Sequence, residues 1–347
     1  LWPEFDQSFR DFIISNIRAC IVCLSTFVVL LIPMYSSLLR TFNDIMSLTD
    51  NLQLTVPITI LLFKLCVMWW SKKVVRMISD DWMRKKTSRQ RRIMIKQAKK
   101  ARMLMIYSAF VMSTTVFTLV IPPWFGLTMR YLTNITDPGK LLIFQTYYPY
   151  DVTRYPAYEI TFIAQIVVFT VAVFPYMGVD NFMGLCVFHI CAQLETLAED
   201  LTNLKQYKDF NATLKICVKN HIRLIRCVDL IENTFCTMLL GLLFYCAVLL
   251  SCQGFLIVPV SFISHFAVRE DLIEFILTSE GIYRATYNNE WYELKAKDAR
   301  NLLIIMIRAD RCLYITAGKM FPLTMATYCS LLKTSASYIS VLVAYQD

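Results

Sequence analysis

Residues 103–129 read MLMIYSAFVMSTTVFTLVIPPWFGLTM, a run of 27 residues without a charge. About 20 apolar residues in an α-helix cross the roughly 30 Å of hydrocarbon in a bilayer, so this run predicts a transmembrane span. Three further uncharged runs have the required length and lie at 19–39, 160–179 and 233–268. The sequence therefore predicts an all-α, polytopic membrane protein.

Two other stretches are apolar but carry one lysine each. Residues 51–71 contain Lys64, and we expect its aliphatic stem to carry the charge to the membrane interface. Residues 320–346 contain Lys333 and form a weaker span, which is typical of helices that line an aqueous path. The composition agrees with several spans, because 56% of the 347 residues are hydrophobic and 18% are charged. Soluble proteins average roughly half and a quarter.

The positive charge of the chain is concentrated in one segment. The formal net charge is +9, and residues 71–105 alone hold thirteen Lys and Arg against Asp80 and Asp81. Basic segments lie on the cytoplasmic side of membrane spans, so we predict this segment and the N-terminus inside and the loop at 130–158 outside. The outer loop contains the sequon Asn134-Ile135-Thr136, which predicts glycosylation at Asn134. A basic segment that caps spans disfavours nucleic acid as a partner and favours anionic membrane lipid.

The same rule on basic segments indicates that one membrane crossing is missing from the predicted spans. Five alternating spans place the residues after Arg269 outside, but residues 277–319 carry seven Lys and Arg and have a cytoplasmic composition. The uncharged run at 233–268 is too short for two crossings and a turn. We therefore predict that one span is absent from this sequence near Ile276 and Leu277.

Two predicted cytoplasmic helices carry apolar stripes at helical spacing. They consist of Leu194, Leu197, Leu201 and Leu204, and of Leu302, Met306, Ala309 and Leu313. Amphipathic helices of this kind need an apolar partner. The two stripes either pack on each other within one subunit or contact a neighbouring subunit.

The sequence carries no recognisable catalytic or metal-binding pattern. His189, His221 and His265 are far apart, and the motifs of P-loop ATPases, serine hydrolases and zinc proteases are missing. Most of the twelve cysteines fall within or beside spans or in inner segments, where reduced thiols are expected. We therefore predict no enzyme activity, no catalytic residue, no metal and no cofactor.

The outer halves of two spans offer an apolar surface instead. Phe117, Val120, Ile121 and Trp124 lie at helical spacing in the third span, and the fourth span opposes them with Phe162, Gln165, Ile166 and Phe169. An aromatic and aliphatic surface with few polar groups suits a small hydrophobic ligand. Ordinary packing between helices or against lipid is the alternative reading for each of these residues.

The C-terminal part of the chain is its most distinctive sequence. Residues 277–294 read LTSEGIYRATYNNEWYEL, and residues 316–338 read TAGKMFPLTMATYCSLLKTSASY. Both stretches closely resemble the C-terminal signature of insect odorant receptors. In that family a further span comes directly before the first stretch, which agrees with a missing crossing near Ile276.

The resemblance implies a seven-transmembrane helical bundle with an intracellular N-terminus, an extracellular C-terminus and helices that extend into a cytoplasmic anchor region. It implies a ligand-gated, non-selective channel for monovalent and divalent cations in the plasma membrane of olfactory sensory neurons. A small volatile hydrophobic ligand is expected to open it. The chain resembles a tuning subunit, so its implied partner is the co-receptor subunit of a heterotetramer.

On this plan the chain divides into five regions. They are the first four spans with an outer ligand pocket, a cytoplasmic helical extension, the fifth span with the start of the sixth, a cytoplasmic anchor segment and a pore-lining last helix. Their predicted bounds are 1–190, 191–232, 233–276, 277–319 and 320–347.

The resemblance also implies roles for individual residues. The family's ligand pocket maps onto Thr59, Phe117, Val120, Trp124, Phe162 and Ile166. Its pore-facing stripe maps onto Val341 and Tyr345, which would form a hydrophobic gate that blocks ions by dewetting. Gln346 and Asp347 would lie at the outer mouth, where carboxylates favour cations.

Three other classes fit less well. A gustatory receptor shares the architecture but typically ends its last helix with T-Y-x-x-x-x-x-Q-F, whereas here Ser337-Tyr338 leads to Tyr345-Gln346-Asp347. A G-protein-coupled receptor needs the basic segment 71–105 outside, or one fewer span before it. A transporter is expected to show internal repeats or charges at mid-membrane, and the sequence shows neither.

Overall fold

A computed structural model describes residues 9–334 of the chain. It leaves out residues 43–44, 71, 84–85, 126–141, 145, 153, 208, 254–259, 290, 312, 325, 328–329 and 331–332 within that range. Nine α-helices account for most of the described residues. They are α1 (Phe9–Thr26), α2 (Ile32–Arg40), α3 (Ile45–Trp70), α4 (Lys72–Met83), α5 (Ser88–Trp124), α6 (Ala157–Thr202), α7 (Phe210–Gln253), α8 (Val260–Tyr287) and α9 (Ala296–Ala309).

Five stretches of these helices are long and apolar enough to cross a membrane. They are Asn16–Arg40, Asn51–Trp69, Ser88–Pro123, Ala157–Thr202 and Phe210–Tyr245. Each overlaps one of the first five predicted spans, so the prediction of a helical, polytopic membrane protein is confirmed. The sixth and seventh crossings and the sidedness of the chain stay predictions. The uncharged run at 233–268 is divided between the end of α7 and the start of α8.

The first span is not a uniform α-helix. A turn of π-helix at Phe27–Leu31 joins α1 to α2, and Pro33 occupies the first turn of α2. Proline has no N–H group, so the backbone cannot form the usual bond from residue 33 to the carbonyl of Val29. A π-turn inside a helix is rare and frequently accompanies a functional site.

One compact unit comprises the described parts of 1–67 and 109–179. Its core combines side chains from α2, α3 and α6 with side chains from a connection at 142–152 that has no regular secondary structure. Fully buried members include Leu30 and Met34 from the first span and Phe144 from the connection. In the same unit Leu24 of α1 and Phe174 of α6 are exposed, as expected for side chains that face lipid.

A second compact unit comprises the described parts of 68–108 and 180–347. Both predicted apolar stripes belong to it, and both are buried inside the single chain. Their buried members are Leu194, Leu197, Leu201, Leu204, Leu302, Met306 and Ala309. Leu313 follows the end of α9 and is half-buried. Residues of the same chain therefore cover both stripes, whereas contact of the two stripes with each other stays a prediction.

A short hairpin departs from the all-α prediction. Strands β1 (Thr316–Ala317) and β2 (Phe321–Pro322) pair antiparallel around Gly318 and Lys319, which both have positive φ. Residues 320–322, expected at the start of the last helix, thus lie in the hairpin. Val341, Tyr345, Gln346 and Asp347 lie outside the described residues, and so does Asn134.

Candidate functional site

The predicted ligand-pocket residues fall within the first unit, and part of the set shares one apolar cluster. Phe162 of α6 is 7% exposed and belongs to the buried core of this unit. Ile166, one turn later, and Val120 of α5 pack against the same core. The Tyr158 ring stacks on the Phe162 ring with 5.8 Å between their centroids. The structure therefore brings these three predicted residues to one aromatic and aliphatic cluster.

The other predicted pocket residues have different surroundings. Thr59 of α3 is half-buried, and its hydroxyl lies 3.0 Å from the Tyr35 hydroxyl. Phe117 is 63% exposed on α5, although its neighbour Val116 packs against the core. Trp124 is the last residue of α5, and its side chain lies outside the described residues. Within this unit, Phe117 thus faces away from the cluster that holds Phe162.

The connection at 142–152 supplies a wall of the cluster that the sequence analysis missed. Residues 130–158 are predicted to form an outer loop, and the side of the membrane on which they lie stays a prediction. Five residues of the connection are buried in the core of the first unit, namely Leu142, Ile143, Phe144, Tyr148 and Val152. The Phe144 ring meets the Phe169 ring edge-on at 5.1 Å. The only sequence signal for this insertion is the apolar character of the segment LLIFQTYYPYDV at 141–152.

Gln165 holds the inserted connection in place. Gln165 lies on α6, between Phe162 and Phe169 in the sequence, and its side chain is 0% exposed. The Gln165 Oε1 atom accepts the Phe144 N–H at 3.1 Å, and its Nε2 donates to the Phe144 carbonyl at 3.0 Å and to the Tyr148 hydroxyl at 2.9 Å. One amide thus satisfies both backbone groups of Phe144, which lack a secondary-structure partner.

Tyr148 extends this hydrogen-bonded group to the first span. Its hydroxyl donates to the Val29 carbonyl at 3.2 Å, the group that Pro33 cannot reach with an N–H. Burial raises the pKa of Tyr148 above its usual value, so the hydroxyl stays protonated at physiological pH and can keep donating. The connection, α6 and the π-turn are therefore linked by a few polar contacts inside an apolar cluster.

Replacing Gln165 with leucine is expected to destabilise the protein markedly. Leucine has a similar volume but leaves the buried Phe144 N–H without a partner, at a cost of about 1–3 kcal/mol, and leaves the Phe144 carbonyl with only the longer bond from the Thr146 hydroxyl at 3.4 Å. The thermal unfolding temperature of the purified protein in detergent measures the loss. Tyr148→Phe removes one hydroxyl and should lower the unfolding temperature less than Gln165→Leu does. If Gln165→Leu unfolded at the same temperature as the unchanged chain, Gln165 would not be what holds the connection in place.

A buried lysine lies in the same unit. Lys64 is expected from the sequence to reach the membrane interface, but the Lys64 side chain is only 1% exposed. Its Nζ atom lies 4.0 Å from the centroid of the Tyr176 ring, which is a cation–π contact. The expectation is therefore wrong, because an aromatic partner inside the protein replaces water around the ammonium. Ionisable groups within spans are expensive to bury and mark functional positions.

The described residues do not contain a group of three or more His, Cys, Asp or Glu side chains that could hold a metal ion. The eight cysteines that the structure describes as free include Cys20 and Cys23 of α1 and the buried Cys186. The arrangement in the first unit is thus suited to binding an apolar molecule through packing and a few hydrogen bonds.

Comparison with protein families decides which class of receptor this chain belongs to. The family model described as 7tm odorant receptor matches residues 44–268 and 273–336, which is most of the chain. The chain belongs to that family. The match to the odorant receptor model is interrupted at 269–272, a few residues before the position near Ile276 where charge predicts a missing crossing.

Two mosquito proteins are similar to this odorant receptor over part of their length. Odorant receptor Or2 of Anopheles gambiae is 25% identical over 236 residues, which cover 59% of this chain and 61% of that protein. Odorant receptor 10 of Aedes albopictus is 27% identical over 212 residues, covering 54% and 56% respectively. The alignments span about three fifths of the length of these curated relatives.

Solved structures share the fold of this odorant receptor. The insect olfactory receptor OR5 of Machilis hrabei, solved in complex with eugenol, matches with a TM-score of 0.83. The match covers 99% of this chain and 93% of that chain at 14% identity. A second structure of OR5 matches with a TM-score of 0.80, also at 14% identity. These likenesses identify the fold as the helical membrane bundle of insect olfactory receptors.

The chain is therefore an insect odorant receptor by family and a multi-pass membrane protein by structure. Its family and fold are those of receptors and do not belong to an enzyme class. The gustatory receptor and the G-protein-coupled receptor, which the sequence analysis kept as alternatives, are not favoured by these matches.

Proposed function

We propose that this odorant receptor is a tuning subunit of a ligand-gated, non-selective cation channel. It would assemble with a co-receptor subunit into a heterotetramer in the plasma membrane of olfactory sensory neurons. The observation that carries the proposal is the family match over residues 44–268 and 273–336. The apolar cluster of the first unit supports it, because such a cluster can take up a small volatile molecule.

The ligand is proposed to bind within the cluster around Phe162 and Ile166. Aromatic and aliphatic side chains there provide dispersion contacts, and the Gln165 amide and Tyr148 hydroxyl provide the few polar groups. Because the connection at 142–152 fills part of the cluster, Phe144 is expected either to contact the ligand or to be displaced by it. A ligand that prefers the open conformation would shift the population toward it.

The ion path is proposed to follow the last helix. Val341 and Tyr345, four residues apart, would share one helical face and form the hydrophobic gate. Gln346 and Asp347 would line the outer mouth and attract cations. These assignments rest on the resemblance of residues 316–338 to the family signature.

Whole-cell recording tests the channel proposal. The chain is expressed alone and together with a co-receptor subunit, and a panel of volatiles that includes eugenol is applied. We expect cation currents that need both subunits and persist when G-protein signalling is blocked. Currents that disappear with the G-protein block, or no current with any co-receptor, would overturn the proposal.

Phe162→Leu is expected to reduce the potency of aromatic ligands about tenfold, since the aromatic contact area is lost while most of the volume is kept. Dose–response curves in the same recording assay measure the shift. Ile163→Ala is the matched control, because Ile163 is the next residue on α6 and is exposed. A similar loss of potency in both variants, or no loss in either, would show that Phe162 does not contact the ligand.

A further inference from the structure

The second unit contains a cavity that the odorant-binding proposal does not use. The cavity has a volume of about 410 Å³ and lies between the first turns of α5 and the C-terminal half of α6. Two of its lining residues are basic, Lys86 and Arg91, and two more are polar, Gln97 and His189. The remaining lining residues are apolar, among them Ala98, Ala101, Leu185 and Phe188. A cavity of this size can enclose a small ligand or the polar head of a larger one.

The carboxylates that contact lining residues of the cavity are already bound by other cations. Asp81, whose Oδ2 atom lies 3.6 Å from the Nε2 atom of the lining residue His189, forms an ion pair with Arg223. Glu195 and Glu274, which accept from the Nε2 atom of the lining residue Gln97 at 3.1 Å and 3.0 Å, form ion pairs with Lys96 and Lys100. Arg91 is exposed, and its guanidinium forms no ion pair within the part of the chain that the structure describes. The basic rim of the cavity therefore keeps a positive charge that an anionic group can bind.

The environment of Lys86 points in the same direction. Burial lowers the pKa of Lys86, an effect that Asp81 opposes and Arg223 reinforces. Desolvation of an ammonium is offset when an anion binds beside it. Lys86 thus gains from an anion in the cavity, and Arg91 supplies a guanidinium suited to bidentate contact with phosphate.

The polarity of the cavity changes along α5. Lys86 and Arg91 lie at its N-terminal end, whereas Ala98 and Ala101 lie just before the uncharged run that begins at Met103. The apolar end of the cavity is therefore the end nearer the predicted membrane span, and the basic end is the more distant one. The positive-inside rule predicts that the N-terminal part of α5, and the cavity beside it, lie at the cytoplasmic leaflet, where anionic lipids are found.

We propose that this cavity binds the phosphorylated headgroup of an anionic membrane phospholipid. Arg91 and Lys86 contact the phosphate groups, and the first part of an acyl chain lies against Ala98, Ala101 and Leu185. A cavity with a basic end and an apolar end favours a lipid over a soluble anion, because a soluble phosphate has no apolar part that could contact the apolar wall.

The test measures lipid binding by the purified full chain in detergent, with no current recorded, so that it is independent of channel function. Fluorescent short-chain phosphatidylinositol 4,5-bisphosphate is the probe, and phosphatidylcholine is the neutral comparison. We expect Arg91→Gln to weaken binding of the anionic lipid about tenfold through loss of a charge-assisted contact. Arg92→Gln is the matched control, because Arg92 is the adjacent exposed residue and does not line the cavity.

A second variant examines the apolar end. Ala98→Trp fills that end and should reduce lipid binding at least as strongly as Arg91→Gln while leaving the thermal unfolding temperature close to that of the unchanged chain. Equal loss with Arg91→Gln and Arg92→Gln would overturn the proposal in favour of diffuse surface charge. Full competition by soluble inositol phosphate combined with no effect of Ala98→Trp would overturn it in favour of a soluble anion.

Discussion

Replacing Gly318 by alanine is expected to destabilise the receptor by about 3 kcal/mol, enough to remove most folded protein from the cell. Gly318 has a φ of +62°, and this left-handed conformation costs an alanine roughly 1–2 kcal/mol. A Cβ atom at this position would lie 2.7 Å from Cδ2 and 3.2 Å from Cγ of Leu240, so the Leu240 side chain must move. The hairpin cannot retreat freely, because the Gly318 N–H donates to the Cys236 carbonyl of α7 at 2.8 Å.

Thermal unfolding of the detergent-purified receptor and its surface expression both report this loss. Gly281→Ala is the matched control, because a Cβ at Gly281 in α8 would meet no atom within 4 Å. That control should be neutral or slightly stabilising, since alanine is favoured inside a helix. Adding Leu240→Ala to Gly318→Ala should remove the steric part of the effect and leave the conformational part. Unchanged unfolding of Gly318→Ala would show that the hairpin is not anchored on α7.

The five spans and the two buried stripes could be predicted because both depend on local sequence. A run such as 103–129 needs only length and apolarity to become a span, whatever it packs against. Likewise, Leu194, Leu197 and Leu201 lie on one face of α6 at helical spacing, and all three are buried. Spacing could not decide which alternative partner covers such a stripe, because that choice depends on contacts distant in sequence.

The candidate ligand site could be predicted only in part for the same reason. Helical spacing places Phe117 and Val120 near one face of α5, but Phe117 is exposed while Val120 packs against the core of the first unit. The direction of a helix face is set by its neighbours and is not contained in its own sequence. The buried position of Phe144 depends on the Gln165 side chain 21 residues away, and no periodic pattern links the two.

The sequence around Asp81 contains a signal for a buried ion pair that is easily missed. In the sequence Asp80 and Asp81 are two acidic residues within a basic segment. Val74, Ile78 and Asp81, however, succeed one another at spacings of four and three, and all three side chains are buried on one face of α4. A carboxylate on the apolar stripe of a helix predicts a buried ion pair, whereas the exposed Asp80 does not share that stripe.

Asp81→Ala is expected to cost roughly 3–5 kcal/mol, because it leaves a partly buried guanidinium without its counter-charge. The Arg223 Nη1 of α7 donates to Asp81 Oδ1, and the Arg223 Nη2 donates to Gln193 Oε1 at 3.2 Å. The His189 Nε2 of α6 lies 3.6 Å from the other oxygen of Asp81. This one carboxylate therefore joins α4 to α6 and α7, and its removal acts on three helices at once.

A double-mutant cycle separates the ion pair from simple loss of volume. Asp81→Ala and Arg223→Met are each measured alone and then combined, with the thermal unfolding temperature in detergent as the readout. The combined variant should be more stable than Asp81→Ala alone, because removing both charges avoids an uncompensated one. Asp80→Ala is the matched control and should unfold like the unchanged chain, since Asp80 is exposed. Additive losses in the cycle would mean that the two side chains do not depend on each other, and Asp81 would then stabilise the second unit through packing alone.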